Sequence, residues 1–96
     1  MMIVVSYDVS TTSAAGRRRL RRMAKVCCDF GQRVQNSVFE CQLDPTQWSM
    51  LKLRLLGICN AEEDSLRFYF LGANWRGGVE HHGTKKVRDP DEALLA

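Results

Sequence analysis

Arg33–Leu43, RVQNSVFECQL, is the segment on which the fold turns. It is rich in β-formers and reads as extended chain. Asn36-Ser37 at its middle is compatible with a bend, a bulge or a very tight reversal, so the segment is either one kinked strand or two short ones. Upstream lies a helix from about Ser13 to Asp29, with Leu20, Met23, Ala24 and Cys27 at i, i+3, i+4 and i+7. Ser10-Thr11-Thr12-Ser13 supplies N-cap candidates, and Gly31 suits a left-handed C-terminal position. Downstream, Asp44-Pro45-Thr46-Gln47 reads as N-cap, first-turn proline and capping-box glutamine. The helix it opens carries Trp48, Leu51, Leu55 and Ile58 on one stripe and ends before Asn60.

Two further strands flank this centre. Met2–Tyr7 alternates little, as a strand covered on both faces would. Asp64–Leu71 alternates cleanly, with Leu66, Phe68 and Phe70 on one side and Ser65, Arg67 and Tyr69 on the other. The order is strand, helix, extended segment, helix, strand. If the middle segment supplies two strands, this is the split βαβ, ferredoxin-like α+β arrangement, βαββαβ with an antiparallel sheet. Val79–His82 is a candidate edge or exchanged strand. The expected division is a domain over residues 1–82 and a mobile tail over 83–96, where Asp89-Pro90-Asp91 interrupts any regular element.

Ninety-six residues, 45% hydrophobic and 26% charged, fit one globular domain of modest core, for which self-association is a natural supplement. Residues 1–55 hold nine Lys/Arg against four Asp/Glu, and residues 56–96 five against seven, so the first half holds the phosphate-facing surface. No run approaches the roughly 20 apolar residues of a membrane span. Asp8 interrupts the N-terminal apolar run, which also lacks a signal peptide's basic flank. Cys27, Cys28, Cys41 and Cys59 form neither a C-x-x-C pair nor a zinc pattern, and read as reduced thiols of a cytoplasmic protein. No P-loop, dinucleotide fingerprint, Ser/His/Asp or Cys/His arrangement is present.

Six of the nine residues Arg17–Lys25 are basic: Arg17, Arg18, Arg19, Arg21, Arg22 and Lys25. A solvated face usually mixes charge signs, because like charges four apart weaken a helix. No acid interleaves here until Asp29, which favours contact with nucleic-acid phosphates over a plain solvated face. Arginine suits bidentate phosphate contacts, and the pattern says nothing about base sequence.

Asp8 is the only acid among the first 28 residues. In isolation an acid at a strand exit reads first as a turn or cap. As a metal ligand it needs company, because Mg2+ takes six oxygens, often one or two carboxylates with water and phosphate. A two-fold dimer would bring two copies of Asp8 to one Mg2+ or other divalent ion, with Tyr7, Ser10 and the adjacent helix N-terminus near the phosphate. His81 and His82 point to opposite faces if they lie in a strand, and read as an exposed edge pair rather than a metal site.

Four segments, VSYDV (Val5–Val9), RRRLRRMAK (Arg17–Lys25), RVQNSVFE (Arg33–Glu40) and DSLRFYFL (Asp64–Leu71), together resemble the small CRISPR-associated adaptation protein, the CRISPR-associated endoribonuclease family. The resemblance implies a ferredoxin-like homodimer with an extra C-terminal strand that crosses to the partner's sheet. It implies one divalent metal between the two Asp8 carboxylates, and metal-dependent cleavage of single-stranded RNA or duplex DNA. It also implies a place as the central dimer of the spacer-acquisition complex, bridging CRISPR integrase subunits without need of nuclease chemistry. By matching position, the site residues are Tyr7 and Asp8 for catalysis, and the helix arginines around Arg17 and Arg19, with Arg33 and Phe39, for nucleic acid. Phe39 has a plainer reading as strand packing, and the tail DPDEALLA (Asp89–Ala96) matches no motif of the family. An unrelated ferredoxin-like RNA-binding protein is the weaker alternative, since the glycine-aromatic signature of RNA-recognition motifs is missing.

Overall fold

The computed structural model describes residues 1–72 and 78–84. Seven elements follow in order: β1 (Met2–Asp8), α1 (Ala14–Phe30), β2 (Gln32–Gln35), β3 (Val38–Gln42), α2 (Pro45–Ile58), β4 (Ser65–Leu71) and β5 (Val79–Gly83). The middle segment is two strands. Gln35 pairs with Val38 across Asn36-Ser37, and the register shifts between Arg33 and Gln35. No residue of that reversal has positive φ. It is therefore not a primed hairpin turn, and the bulge absorbs the mismatch in strand twist.

The five strands form one antiparallel sheet in the order β2-β3-β1-β4-β5. The first four strands and two helices are the βαββαβ arrangement, and β5 adds to the β4 edge of its own sheet. Both helices pack on one face. Ile3, Val5 and Tyr7 of β1, Phe39 and Cys41 of β3, and Leu66 and Phe68 of β4 point into that layer against Met23, Cys27, Leu51 and Leu55. β1 is thus covered by helices on one side only. Its other side carries Val4, Ser6 and Asp8, and among the described residues no helix gives it the expected second cover.

Local chemistry sets the element ends. Ser13 caps α1, its hydroxyl accepting from the Gly16 amide at 3.1 Å. Asp44 and Gln47 exchange side chain-to-backbone hydrogen bonds of 2.7 and 3.0 Å, with Pro45 in the first turn of α2. Gly31 corrects the expected left-handed cap: its φ of −161° is extended. Glycine stands there because a Cβ would strike Cys41 Sγ and the Glu40 carbonyl, where the chain turns directly from α1 into the sheet. Gly83 does have positive φ, +116°, and a Cβ there would strike the Asp64 carbonyl. Gly83 closes β5, and Thr84 donates its amide to the Asp64 carbonyl at 3.2 Å. The remainder of the expected tail, residues 85–96, lies outside the described residues.

Candidate functional site

Asp8 is the last residue of β1 and is exposed on the sheet face that the helices leave open. The sheet register determines its neighbours. Asp8 lies opposite Ser65, and Ser6 lies opposite Arg67. Arg67 in turn lies opposite His81. Ser6, Asp8, Ser65 and Arg67, with Tyr7, line a pocket of about 210 Å³. A carboxylate, two hydroxyls and a guanidinium form a hard, polar pocket suited to a phosphate or a hydrated cation. Burial, then the positive charge of Arg67, hold the His81 imidazole below its usual range. Among the described residues no three His, Cys, Asp or Glu side chains gather to hold a metal. Among the described residues, Asp8 is the one carboxylate lining this pocket.

Arg67 was legible only as a residue on the polar side of an alternating strand. Its strand order and register make it a neighbour of Asp8, and neither is visible along the chain.

Tyr7 goes the other way. Strand alternation turns its ring into the helical layer, where it is 4% exposed and stacks on Phe39 with ring centroids 6.1 Å apart. Its phenolic oxygen is buried with no hydrogen-bond partner among the described residues. Burial raises its pKa, while the Arg33 guanidinium opposes that shift. The ring is on the opposite side of the sheet from the Asp8 carboxylate, which is no position for a catalytic partner of Asp8. Phe39 is fully buried. Its ring is a core group shared by Tyr7 and the Arg33 guanidinium, which lies 5.1 Å from the ring centroid. The assignment of Phe39 to nucleic-acid contact is corrected accordingly, because no face of the ring is open to a base. Arg33 itself is exposed on the edge strand β2.

The helix block divides. Arg17, Arg18, Arg21, Arg22 and Lys25 are exposed. Arg17 donates to the Thr11 carbonyl at 3.2 Å. Ion pairs among the described residues engage Arg19 and Arg54 but none of Arg18, Arg21, Arg22 or Lys25. Those four are a stripe of like charge facing solvent. Arg19 leaves the set: its guanidinium donates to both oxygens of Asp64 at 2.8 and 3.2 Å and to Glu63 at 3.2 Å. Asp64 is fully buried and also accepts from the amides of Ser10 at 3.0 Å and Asn60 at 2.9 Å. These bonds outweigh its desolvation and hold its carboxyl below the usual carboxylate range. Asp64 ties the β1–α1 connection, α1 and the α2–β4 connection into one knot. The sequence carried a signal for it: Arg19 stands four residues before Met23 and eight before Cys27, on the buried stripe, where a cation requires a buried acid.

The cysteines are reduced. Burial pushes the Cys27 thiol up to about 12 and the Cys41 thiol to about 11, while Cys28 is exposed. No described helix is long and apolar enough to cross a membrane.

A βαββαβ arrangement with an exposed carboxylate at the exit of its central strand and a cationic first helix places the chain among the ferredoxin-like α+β proteins. The particular family follows from comparison. Residues 1–79 match the family model for CRISPR associated protein Cas2, and the chain belongs to that family. It is 58% identical over 95 residues to a Nitratidesulfovibrio vulgaris protein named CRISPR-associated endoribonuclease Cas2, covering 99% of this chain and 93% of that one. A Chlorobaculum tepidum protein of the same name is 57% identical over 95 residues, covering 99% of both chains. Among solved structures, Streptococcus pyogenes Cas2 at pH 6.5 superposes with a TM-score of 0.71 at 55% identity, over 83% of this chain and 96% of that one. A hypothetical Thermus thermophilus protein, TT1823, gives 0.65 at 30% identity, over 75% and 82%.

Proposed function

We propose that this protein is a metal-dependent endonuclease of CRISPR adaptation, working as a homodimer on single-stranded RNA or duplex DNA. The observation that carries the reading is Asp8, exposed beside Arg67 on the open face of the sheet. That face is only part polar. Val4 lies opposite Tyr69, Tyr69 opposite Val79, and Ser6 opposite Val38, so apolar groups surround the polar pocket. A second copy laid face to face would bury them and bring a second Asp8 toward the first.

The donor set fits a hard cation. Two Asp8 carboxylates, one from each protomer, would hold Mg2+ or another divalent ion, with the hydroxyls of Ser6 and Ser65 beside them. Such an ion supplies phosphate orientation, charge stabilisation and an acidified water. Arg67 holds the scissile phosphate from the adjacent strand. The exposed stripe Arg17, Arg18, Arg21, Arg22 and Lys25, with Arg33, grips backbone phosphates without reading sequence.

One observation favours a second reading, a non-catalytic dimer that bridges CRISPR integrase subunits and protospacer DNA. The cationic stripe of α1 faces away from the sheet on the helical side, whereas Asp8 is on the other side. A polyanion held by α1 does not need Asp8.

Calorimetric titration with Mg2+, and cleavage of RNA and duplex DNA with Mg2+ or chelator, are run on wild type and Asp8→Ala. Loss of both binding and cleavage in the variant supports the nuclease. Equal cleavage by both proteins identifies a contaminant and defeats it. Spacer integration retained by Asp8→Ala supports the bridge, and integration lost with it counts against a purely structural role.

A further inference from the structure

We propose that Asp64 is a positioning residue for the Asp8 pocket, holding the exit of β1 and the start of β4 in the arrangement that sets Asp8 beside Ser65. The pocket's carboxylate stands on the last residue of β1, where regular pairing ends and the chain departs for α1. Strand ends fray first, so a side chain that must present a ligand from such an end needs a fastening.

Asp64 fastens three strands. Its carboxylate accepts from the Ser10 amide at 3.0 Å, two residues past Asp8. Along the chain it immediately precedes Ser65, which lies opposite Asp8 in the β1–β4 register. Its carbonyl accepts from the Thr84 amide at 3.2 Å, just past β5. Ser65 also lies opposite Gly83, and a Cβ on that glycine would strike the Asp64 carbonyl. The exit of β1, the start of β4 and the end of β5 therefore converge on this one residue.

Asp64 is itself held. Arg19 of α1 donates to both carboxylate oxygens at 2.8 and 3.2 Å, and the Asn60 amide adds a bond of 2.9 Å. A charge-assisted pair with two donors fixes orientation as well as position. Full burial leaves the carboxylate no bulk water as an alternative partner. Asp64 is not among the residues that line the pocket, which are Ser6, Tyr7, Asp8, Ser65 and Arg67. It acts through the backbone, at Ser10 on one side of Asp8 and at Ser65 across from it. A cation shared at a two-fold axis would feel any displacement of this strand end twice, once from each protomer. That consequence for Mg2+ rests on the proposed function; the fastening of the strand ends does not.

The test compares full-length wild type with two variants. The first carries Asp64→Ala and Arg19→Met, removing both charges together so that neither is stranded. The second, Leu51→Ala, weakens the core at a fully buried position of α2 and leaves the knot intact. Amide hydrogen exchange is followed by NMR at a temperature where each protein is folded. In the double variant, Asp8 and Ser65 should exchange about tenfold faster relative to Val4 and Tyr69, farther along the same strands, whereas Leu51→Ala should leave that ratio unchanged. Calorimetric titration should show Mg2+ affinity falling about tenfold in the double variant and not in Leu51→Ala. Duplex affinity should hold in both, because the pair is removed as a neutral unit. Asp64→Asn, which keeps the side chain's shape and loses its charge, carries the same measurements if the double variant does not fold, with a smaller shift in the same direction. A ratio equal to wild type, or an equal change in Leu51→Ala, overturns the proposal and leaves Asp64 a stabilising residue alone. So does unchanged Mg2+ affinity against a wild type that binds the ion. A shifted ratio in a protein whose wild type neither binds Mg2+ nor cleaves leaves the positioning standing and defeats the nuclease instead.

Discussion

Asp64→Ala should be among the most damaging single substitutions in this protein, although no catalytic role is assigned to the residue. The fully buried carboxylate accepts four hydrogen bonds: two from Arg19, one from Ser10 and one from Asn60. Removing one partner of a buried ion pair costs about 3–5 kcal/mol, mainly because the other charge is stranded. Here Arg19 keeps Glu63 at 3.2 Å and its side chain is 14% exposed, so water reaches it. The low end applies, about 3 kcal/mol, out of a total of about 5–14 kcal/mol for a domain this size. The melting temperature should fall by about 12–24 °C, at roughly 4–8 °C per kcal/mol. Urea unfolding at fixed protein concentration, followed by circular dichroism, measures the loss; fixed concentration matters because self-association would add to stability. Glu63→Gln is the internal control. That side chain is 50% exposed, and its loss should cost less than about 1 kcal/mol.

The same knot predicts a pH dependence whose sign is determined by the direction of the shift. Asp64 is held below its ordinary value in the folded chain, so its contribution is complete above the unfolded value of about 3.9. The contribution drains away as pH falls through the lower folded value. Wild type should lose stability more steeply than Asp64→Ala below about pH 4, and the slope that remains in the variant includes Glu80, which is shifted the same way. A cost below about 1 kcal/mol for Asp64→Ala, or acid limbs of equal slope, would refute the reasoning.

Other outcomes follow from the same geometry. Arg18→Glu with Arg22→Glu should weaken duplex binding and reduce the log–log salt slope by about 0.9 for each phosphate no longer neutralised, measured by anisotropy across a salt series; an unchanged slope would mean that the stripe points elsewhere. Phe39→Ala should cost about 3–5 kcal/mol in urea unfolding, a core defect read as lost stability before any change in duplex affinity. Cys28 should react with a thiol reagent in the native protein at pH 8, whereas Cys27 and Cys41, pushed up to about 12 and about 11, should react only on unfolding. Native labelling of either would show that the α1–β3 core opens.

Much was readable along the chain where the physics is local. The capping box at Asp44, the Ser13 cap, the alternation of Leu66, Phe68 and Phe70, and the amphipathic period of α1 are contacts within a few residues, and each element formed where its pattern lay. The two readings of Arg33–Leu43 needed the sheet to decide between them, because a reversal at Asn36-Ser37 is stabilised by pairing with β1 as much as by its own turn. Gly31 shows how a local rule misleads: the residue matched a left-handed cap, yet the need for glycine comes from Cys41 and Glu40 across the sheet.

For the site, residue types determined the pieces: a lone acid at a strand exit, a run of arginines without interleaved acids, and the family's segments in order. Tertiary structure decided which pieces meet. Arg67 joins Asp8 because antiparallel pairing of β1 with β4 puts them on the same face. Tyr7, adjacent to Asp8 in sequence, is carried to the opposite face because successive residues of a strand alternate sides. Arg19 is withdrawn from the cationic stripe because a helix turn rotates it inward toward Asp64, 45 residues away. Local spacing can say which side of a helix or strand a residue takes, but which distant residue it meets there is a property of chain closure, as Arg19 with Asp64 shows.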